Sequence, residues 1–453
     1  MKTVAFHNLG CKVNAYETDI MQQKFTESGF LVVPFSQKAD VYVINTCTVT
    51  GIADRKSRQM LHRAKEKNPE ATVIAVGCYV QTDTEKVLSD PAVDIAIGNN
   101  NKASIVEIYK EYEAERAKSK PTNGKKTAFN RIVDINKPCE YEDMHLVDTV
   151  DRTRAYIKIQ DGCNQFCTYC LIPYARGRIR SREPEDILEE IKHVTENGRK
   201  EIVLTGIHVS SYMLSDPTDL STNHLAELLC KIQEIDTVER IRLSSLEPRV
   251  VTEEFAETIG GLSKLCPHFH LSLQSGCDAT LKRMNRHYSA AEFKEGVNRL
   301  RNAFSDPAIT TDIIVGFPGE TDEEFEASYE FAKEIGFYEL HVFKYSKRKG
   351  TIAAGLPNQV PDPVKEERSN RMLALREELS AQYVKRHEGK TADVLFEEEK
   401  TVNGVKYLTG HTREYIHAAI ELNAETEKLK NKIVSVRLGT PISSEYVSCE
   451  VAK

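Results

Sequence analysis

Three cysteines stand at C-x3-C-x2-C spacing, Cys163, Cys167 and Cys170, in a chain that holds eleven. They follow directly on a β-rich apolar run at residues 155–160. A loop of this kind brings three thiolates to one centre. Three thiolates can hold a cubane iron–sulfur cluster and leave one iron without a protein ligand, and an open position is what permits substrate chemistry at a metal. Zinc is the rival, but structural zinc takes four ligands, usually as two separated pairs. No second pair is evident; His193 and His208 are the nearest candidates. The plainest reading is three packed thiols, since cysteine also behaves as a small hydrophobe. Position favours the cluster, because barrel active sites sit at the C-terminal ends of strands. Cys11, Cys47 and Cys78 form a looser set, in the contexts HNLGC, VINTC and AVGC. Each follows a predicted strand, and such residues gather at one edge of a parallel sheet, where ligands bind. Their gaps of 36 and 31 residues resemble no compact metal loop. Spacing alone therefore leaves both a second cluster and packed strand-end thiols open.

The elements that must position these residues are legible as α/β structure. Short apolar runs at 3–7, 41–45, 72–76 and 93–97 alternate with helical stretches such as 16–28 and 55–67. Such alternation implies right-handed crossovers and a parallel sheet. A polar stretch at 111–126 marks a boundary. The middle segment shows six strand candidates, at 155–160, 201–205, 240–243, 268–273, 310–315 and 339–343, with helical stretches between them. Six β/α units are too few for a closed eight-unit barrel and predict an open, partial one. A charged helix at 363–389 leads out. Five short strands then follow, at 392–398, 406–410, 416–421, 432–438 and 446–451. They predict a small antiparallel barrel of the oligonucleotide-binding type. The expected organisation is a first domain over 1–125, a linker over 126–150, the partial barrel over 151–380 and the terminal barrel over 382–453.

The chain has 453 residues, 40% hydrophobic and 28% charged, with a net charge of −7. That is an ordinary globular composition, and the balance argues against a protein that coats nucleic acid over its whole surface. A disulfide framework is not expected in a long chain with no signal-peptide core at its start. No run reaches the roughly 18 apolar residues of a membrane helix. The expectation is a cytoplasmic protein without a membrane partner.

The tract from Gly162 to Gly177, with Tyr169 before the last cysteine, resembles the signature of the radical S-adenosylmethionine (SAM) enzymes. Gly10-Cys11-Lys12-Val13-Asn14, Asn45-Thr46-Cys47 and Gly77-Cys78 resemble the first domain of the methylthiotransferases. The resemblance covers essentially the whole chain. It implies two [4Fe–4S] clusters, a radical-generating one on Cys163, Cys167 and Cys170 and an auxiliary one on Cys11, Cys47 and Cys78. It implies that one SAM donates methyl to the auxiliary cluster, and that a second supplies a radical that activates a C–H bond of substrate. A terminal TRAM domain that binds RNA is also implied. The loop Gly10–Asn14, followed by Tyr16-Glu17-Thr18, is similar to the branch that acts on N6-threonylcarbamoyladenosine at position 37 of tRNA, with C2 of adenine as the site of attack. Branches acting on isopentenyladenosine or on a ribosomal-protein aspartate are the alternatives within the family. A non-catalytic iron–sulfur RNA-binding redox sensor is the alternative outside it. Expected partners are the tRNA anticodon stem-loop, a flavodoxin- or ferredoxin-like electron donor and a sulfur donor. Because the two clusters must come close, the first domain is expected to dock over the mouth of the barrel.

Around the cofactor, the expected contacts are Tyr169, Gly206, Ser245, Glu247, Ser272, Gln274, Asp312 and Phe317. Most lie at predicted strand ends, where polar side chains suit a ribose and a carboxylate; ordinary turn chemistry is the competing reading. Gly206 and the segment around Phe317 are assigned by resemblance. Asp312, inside a strand, either faces the site or is simply paired. For substrate the candidates are Arg176, Arg178, Arg180 and Arg182. Between residues 152 and 183 seven basic residues face two acidic ones, an excess suited to an RNA backbone or to the carboxylate of a threonylcarbamoyl group. Lys282, Arg283, Arg286, Lys344, Lys347, Arg348 and Lys349 could extend that surface. The terminal segment 382–453 is neutral, with eleven basic and eleven acidic residues. It is expected to touch RNA through a few groups such as Lys385, Arg386 and Arg413, or to act as a lid.

Overall fold

The computed structural model describes residues 1–118, 127–137, 140–142, 144–147, 153–214 and 223–452. Part of the predicted linker, together with Cys139 and Arg152, lies outside them.

The first domain is a six-stranded parallel sheet in the order β2-β1-β3-β4-β5-β6. Its strands are β1 (Thr3–Asn8), β2 (Leu31–Val33), β3 (Val41–Thr46), β4 (Thr72–Gly77), β5 (Ile95–Ile97) and β6 (Phe129–Arg131). The three-residue edge strands β2 and β6 were not predicted. Helix α1 (Lys12–Glu27) begins immediately after Cys11. It has little amphipathic contrast: ten of its sixteen residues are buried, Asn14, Glu17, Thr18 and Asp19 among them. A helix buried nearly all round must be covered on both sides. One side meets its own sheet. On the other, Tyr16 and Ile20 join the barrel core with Ile157, Ile187 and Leu204.

The barrel strands are β7 (Arg154–Asp161), β9 (Glu201–Gly206), β10 (Arg240–Leu243), β11 (His268–His270), β12 (Ala308–Val315) and β13 (Glu339–Lys344); β8 (Arg180–Ser181) turns back antiparallel on β7. Bridges from Ile241 to Leu265 and from Leu246 to Leu271 join β10 to the β11-β12-β13 group. The six predicted units are all present, as an open barrel that ends in β13 on one side and in β7, flanked by the two-residue β8, on the other. Along each strand one face packs on the helix layer, as Ala155, Ile202, Ile241, Phe269 and Ile313 do. The alternate face turns into the lumen, and it is polar: Lys158, Arg242, His268, Thr310 and Asp312. The first domain docks on α1 beside β7. It also reaches the loop after β13, where Arg348 bonds Thr48 and Asp54 at 2.8 and 2.7 Å. It therefore spans the open side of the barrel, and at the mouth its Cys78–Thr82 helix meets the Ile172–Ala175 helix, where Asn99 donates to the carbonyl of Ala175.

The long helix Asp362–His387 runs through the expected boundary at 380–382, so Lys385 and Arg386 belong to it and not to the terminal barrel. That barrel closes in the order β14-β15-β16-β18-β17, from β14 (Thr391–Val402), β15 (Val405–His411), β16 (His417–Glu421), β17 (Ile433–Pro441) and β18 (Val447–Val451). It seats against the N-terminal ends of the large barrel's strands. Arg240 donates to the carbonyl of Asp393 at 2.8 Å and Arg242 to that of Arg413 at 2.9 Å. Arg413 in turn donates to the carbonyl of Leu265, so this arginine is engaged in docking.

The interface between α1 and β7 holds a charged network away from water. Glu17 accepts from Arg176 at 2.8 Å, Lys158 at 2.9 Å and Lys102 at 2.5 Å. Asp161 pairs with Lys158 at 2.6 Å and Arg176 at 3.2 Å. Burial opposes the charged form of Glu17, but Arg176, Lys102 and Lys158 outweigh it and hold the carboxyl well below the usual range. Removing one partner of such a set leaves buried charge uncompensated. Glu17→Gln is therefore expected to lose about 3–5 kcal/mol of stability in denaturant titration of the anaerobically purified chain; a loss under about 1 kcal/mol would mean that the network holds nothing. Glu201 predicts an acid effect. Burial would raise its carboxyl, but Arg242 and its neighbours hold it down to about 2. Its contribution is present above the unfolded value of about 4.3 and is lost as pH falls from there toward 2. Glu201→Gln should flatten that part of a stability–pH profile.

Candidate active site

The two cysteine sets each converge. Cys47 feels the charge of Cys78 and Cys11, and Cys170 that of Cys167 and Cys163. Strand-end loops achieve this. Gly10, at φ +106°, lets the Cys11 loop pass Cys47 so closely that a Cβ would lie 2.9 Å from its sulfur. Gly162, at φ +73°, passes the backbone of Arg178 where a Cβ would collide. Side chains at either position would push the loops apart.

Four of the six sulfurs receive an N–H. The backbone N–H of Gln165 points at Cys163 at 3.5 Å and that of Ile172 at Cys170 at 3.4 Å, while the Arg286 guanidinium meets Cys167 at 3.2 Å. Asn99 donates to Cys78 at 3.4 Å, and the side chain of Asn14 donates to the carbonyls of Leu9 and Thr46, beside Cys11 and Cys47. Donors aimed at sulfur suit thiolates, which are acceptors, and hydrogen bonds to sulfur tune iron–sulfur clusters. Burial pushes the Cys163 thiol up to about 12 and Cys47 up to about 11, so in this setting the thiolate needs a cationic partner, and metal binding would release the proton. Cys449, in the terminal barrel, is raised to about 12 by burial alone. Geometry also separates iron–sulfur from zinc. Tetrahedral zinc at ~2.3 Å per sulfur draws its ligands to within ~4 Å of one another. Among the described residues only His270, Asp312 and His341 bring three ligand atoms within 4.8 Å; neither cysteine set is that tight.

The network described above ties the sets together. Asn99, the donor to Cys78, also accepts from Lys102 and donates to the carbonyl of Ala175. Asn14 accepts from Arg176 at 2.6 Å and donates to the carbonyl of Thr46, next to Cys47. Arg176 lies six residues after Cys170. One buried guanidinium thus fixes the loop of the second set against that of the first.

Of the four arginines read as substrate contacts, three are committed inside the protein. Arg176 is fully buried in the network. Arg182 is buried against Glu190 and bonds His145 at 2.8 Å. Arg180 bonds Asn100 at 3.0 Å and the carbonyl of Arg176 at 2.8 Å. Arg178 alone is exposed, over the ring of Phe166 at 4.5 Å. The excess of charge marked a domain interface as much as an RNA surface. Arg286, read as a surface cation, is instead the donor to Cys167, and it stacks on Tyr288 at 4.8 Å. Arg283 pairs with Glu324 and Arg348 with Asp54.

The expected cofactor contacts ring the same end of the barrel. Gly206 closes β9. Glu247 is buried and takes Arg249 through both oxygens, at 2.6 and 3.0 Å; Ser245 is exposed beside it. The Ser272 carbonyl accepts from Arg286 and Tyr288. Gln274 sits at φ +69°, held by backbone bonds to Asp312 and Ile314. Such a left-handed residue costs free energy and persists only where its surroundings enforce it. Asp312 is both lumen-facing and partnered, with His270 at 3.4 Å. Tyr169 packs edge-on against the buried Phe317, at 6.2 Å between centroids. His208, raised in the sequence only as a candidate ligand of a rival zinc site, was not among the expected cofactor contacts. Its Nδ1 meets Ser211 at 2.5 Å, burial pushes its pKa down to about 4, and its Nε2 is enclosed without a partner.

Comparison with known proteins agrees with this geometry. The Radical SAM superfamily profile matches residues 157–332, and that of the uncharacterized protein family UPF0004 matches residues 3–98. The threonylcarbamoyladenosine tRNA methylthiotransferase MtaB of Bacillus subtilis (strain 168) is 42% identical over 97% of this chain and 94% of that protein. The MtaB of Aquifex aeolicus (strain VF5) is 38% identical over 89% and 95%. A tRNA-2-methylthio-N(6)-dimethylallyladenosine synthase of Clostridium botulinum (strain Hall / ATCC 3502 / NCTC 13319 / Type A) is 36% identical over 89% and 88%. Among solved structures, the radical SAM methyltransferase TsrM from Kitasatospora setae shares the fold, with a TM-score of 0.53 and 15% identity over 76% of this chain and 75% of that one. The chain belongs to the radical S-adenosylmethionine tRNA methylthiotransferase family.

Proposed function

We propose that this chain converts N6-threonylcarbamoyladenosine at position 37 of tRNA to its 2-methylthio derivative. The observation that carries the reading is the pair of three-thiol sets, four of the six sulfurs met by an N–H donor, locked together through one buried network. The names of the MtaB relatives support the substrate. Cys163, Cys167 and Cys170 would hold one [4Fe–4S] cluster and Cys11, Cys47 and Cys78 the other, with Glu247, Ser272, Gln274 and Tyr169 around SAM. When bound, these groups supply the radical that activates C2–H of adenine and the methylthio group that replaces the hydrogen. The chain's own residues bind, orient and exclude water. Arg286 places a fixed positive charge on Cys167. Asn99 orients Cys78, and the side chain of Asn14 ties the Cys11 loop to the backbone beside Cys47. Glu17 and Arg176 keep the two loops in register, and the first domain screens the open side of the barrel. A flavodoxin- or ferredoxin-like reductant, a sulfur donor and a cytoplasmic setting complete the proposal; among the described residues no helix is long and apolar enough to cross a membrane.

The direct test is turnover. The anaerobically reconstituted chain, with SAM, reductant and a stem-loop carrying threonylcarbamoyladenosine, should yield both 5′-deoxyadenosine and a methylthio nucleoside by mass spectrometry. A methylthio product only from isopentenyladenosine RNA would move the chain to the other tRNA branch. The two sets should also separate. Cys47→Ser is expected to lose about four of about eight irons and all methylthio product while still forming 5′-deoxyadenosine. Cys170→Ser should lose a similar share of iron and both products. Equal phenotypes would contradict the assignment of roles. Arg286→Met should leave iron content intact and shift the potential of the radical-side cluster downward, since lost N–H donation and positive charge disfavour the reduced form; an unchanged potential in a redox titration would remove Arg286 from this role.

A further inference from the structure

Lys12 is the first helical residue after Cys11. Helix α1 packs on β7 and β9, and the Lys12 charge acts on Arg154, Arg242 and Glu201 and on His268, which lie on the barrel strands around it. The other cations there are committed. Arg154 pairs with Glu397 at 2.7 Å. Arg242 takes both oxygens of Glu201, at 2.7 and 3.1 Å. Arg240 is satisfied by carbonyls of the terminal barrel. Among the described residues Lys12 has neither a hydrogen bond nor an ion pair. Four cations thus face two carboxylates, Glu201 and Glu397, in a confined space. Asp312, elsewhere in the lumen, is engaged with His270. Confined charge without a counterion is costly, so this part of the lumen is suited to an anionic group brought by a ligand.

We propose that Lys12 binds the carboxylate of the threonylcarbamoyl group and is a specificity-determining residue of this enzyme. The proposal rests on the substrate reading above. Purine chemistry supports the placement. C2 and the carbon bearing N6 flank N1, so the reacting position and the substituent share one edge of the base. A base that turns C2 toward the centre held by Cys11 brings its N6 substituent to the same side, next to the following residue's side chain. An isopentenyl group offers this cation no partner, so the contact that favours one modified adenosine also disfavours the other.

The test is equilibrium binding by the full, cluster-loaded protein of three stem-loops of one sequence, carrying adenosine, threonylcarbamoyladenosine or its methyl ester at the same position. Wild-type protein should prefer the free acid over both others. Lys12→Met should weaken the free acid by about tenfold or more, the worth of a charge-assisted hydrogen bond, and leave adenosine RNA within about twofold. Lys12→Arg should keep most of the preference. Iron and sulfide content confirms that both clusters survive beside the substitution. An equal loss on all three RNAs would make Lys12 a phosphate contact and overturn the proposal. Weakened SAM binding with RNA affinities intact would assign it to the cofactor's carboxylate and overturn it too, as would no change anywhere. Turnover by the wild type on the free-acid RNA, run alongside, tests the substrate reading separately: product formation with no effect of Lys12→Met sinks only the role of Lys12.

Discussion

Glu17 lies where two domains and two cysteine sets meet, and three cations converge on it. Burying such a cluster contributes little net stability compared with an apolar contact of the same size, because desolvation offsets most of the attraction. What it does impose is register. Arg176 cannot satisfy Glu17, Asp161 and Asn14 together unless the loop after Cys170 and the helix after Cys11 stand in one relative position. The contacts continue to Cys78 through Asn99, and to the backbone beside Cys47 through the side chain of Asn14. A reaction that needs two separately held centres to face one substrate atom needs such a constraint, and an apolar interface, tolerant of sliding, would supply less of it.

The same logic explains the rest of the architecture. An open barrel with two free edges exposes its lumen, and the first domain covers that side by seating α1 on β7 and meeting Arg348 beyond β13. The terminal barrel closes the other end. Part of its charge is used in docking: Glu397 binds Arg154 and Arg413 holds the carbonyl of Leu265. Three of the four arginines after the cysteine loop are likewise spent on assembly. The lumen that remains is lined by ionisable groups, and most of them are already paired.

Much of this was legible in the residues. The C-x3-C-x2-C loop after a strand, the six barrel strands and the small terminal barrel follow from periodicity and spacing, which are local properties. The strand-end placement of Cys11, Cys47 and Cys78 was legible too, but their convergence needed the resemblance, since gaps of 36 and 31 residues carry no metal signature. The fates of the arginines were not legible. A run of alternating arginines reads alike whether it faces RNA or a buried carboxylate, and Glu17 lies more than 150 residues from Arg176 in sequence. Arg286 was misread for the same reason, its partner Cys167 being 119 residues away. A local clue existed in α1: Asn14 and Glu17 interrupt what would otherwise be an apolar face, and polar residues at such spacing on a buried helix need partners.

The central claim is that the buried network fixes one cysteine set against the other. Dipolar coupling between the two reduced clusters, measured by pulsed electron paramagnetic resonance, tests it most directly. The wild-type chain should show one narrow distribution of coupling. Arg176→Met, with both clusters confirmed by iron and sulfide content, should show a broadened or vanished one. A distribution unchanged by that substitution would contradict the account, because the centres would then be held in place by something other than the charges that converge on Glu17.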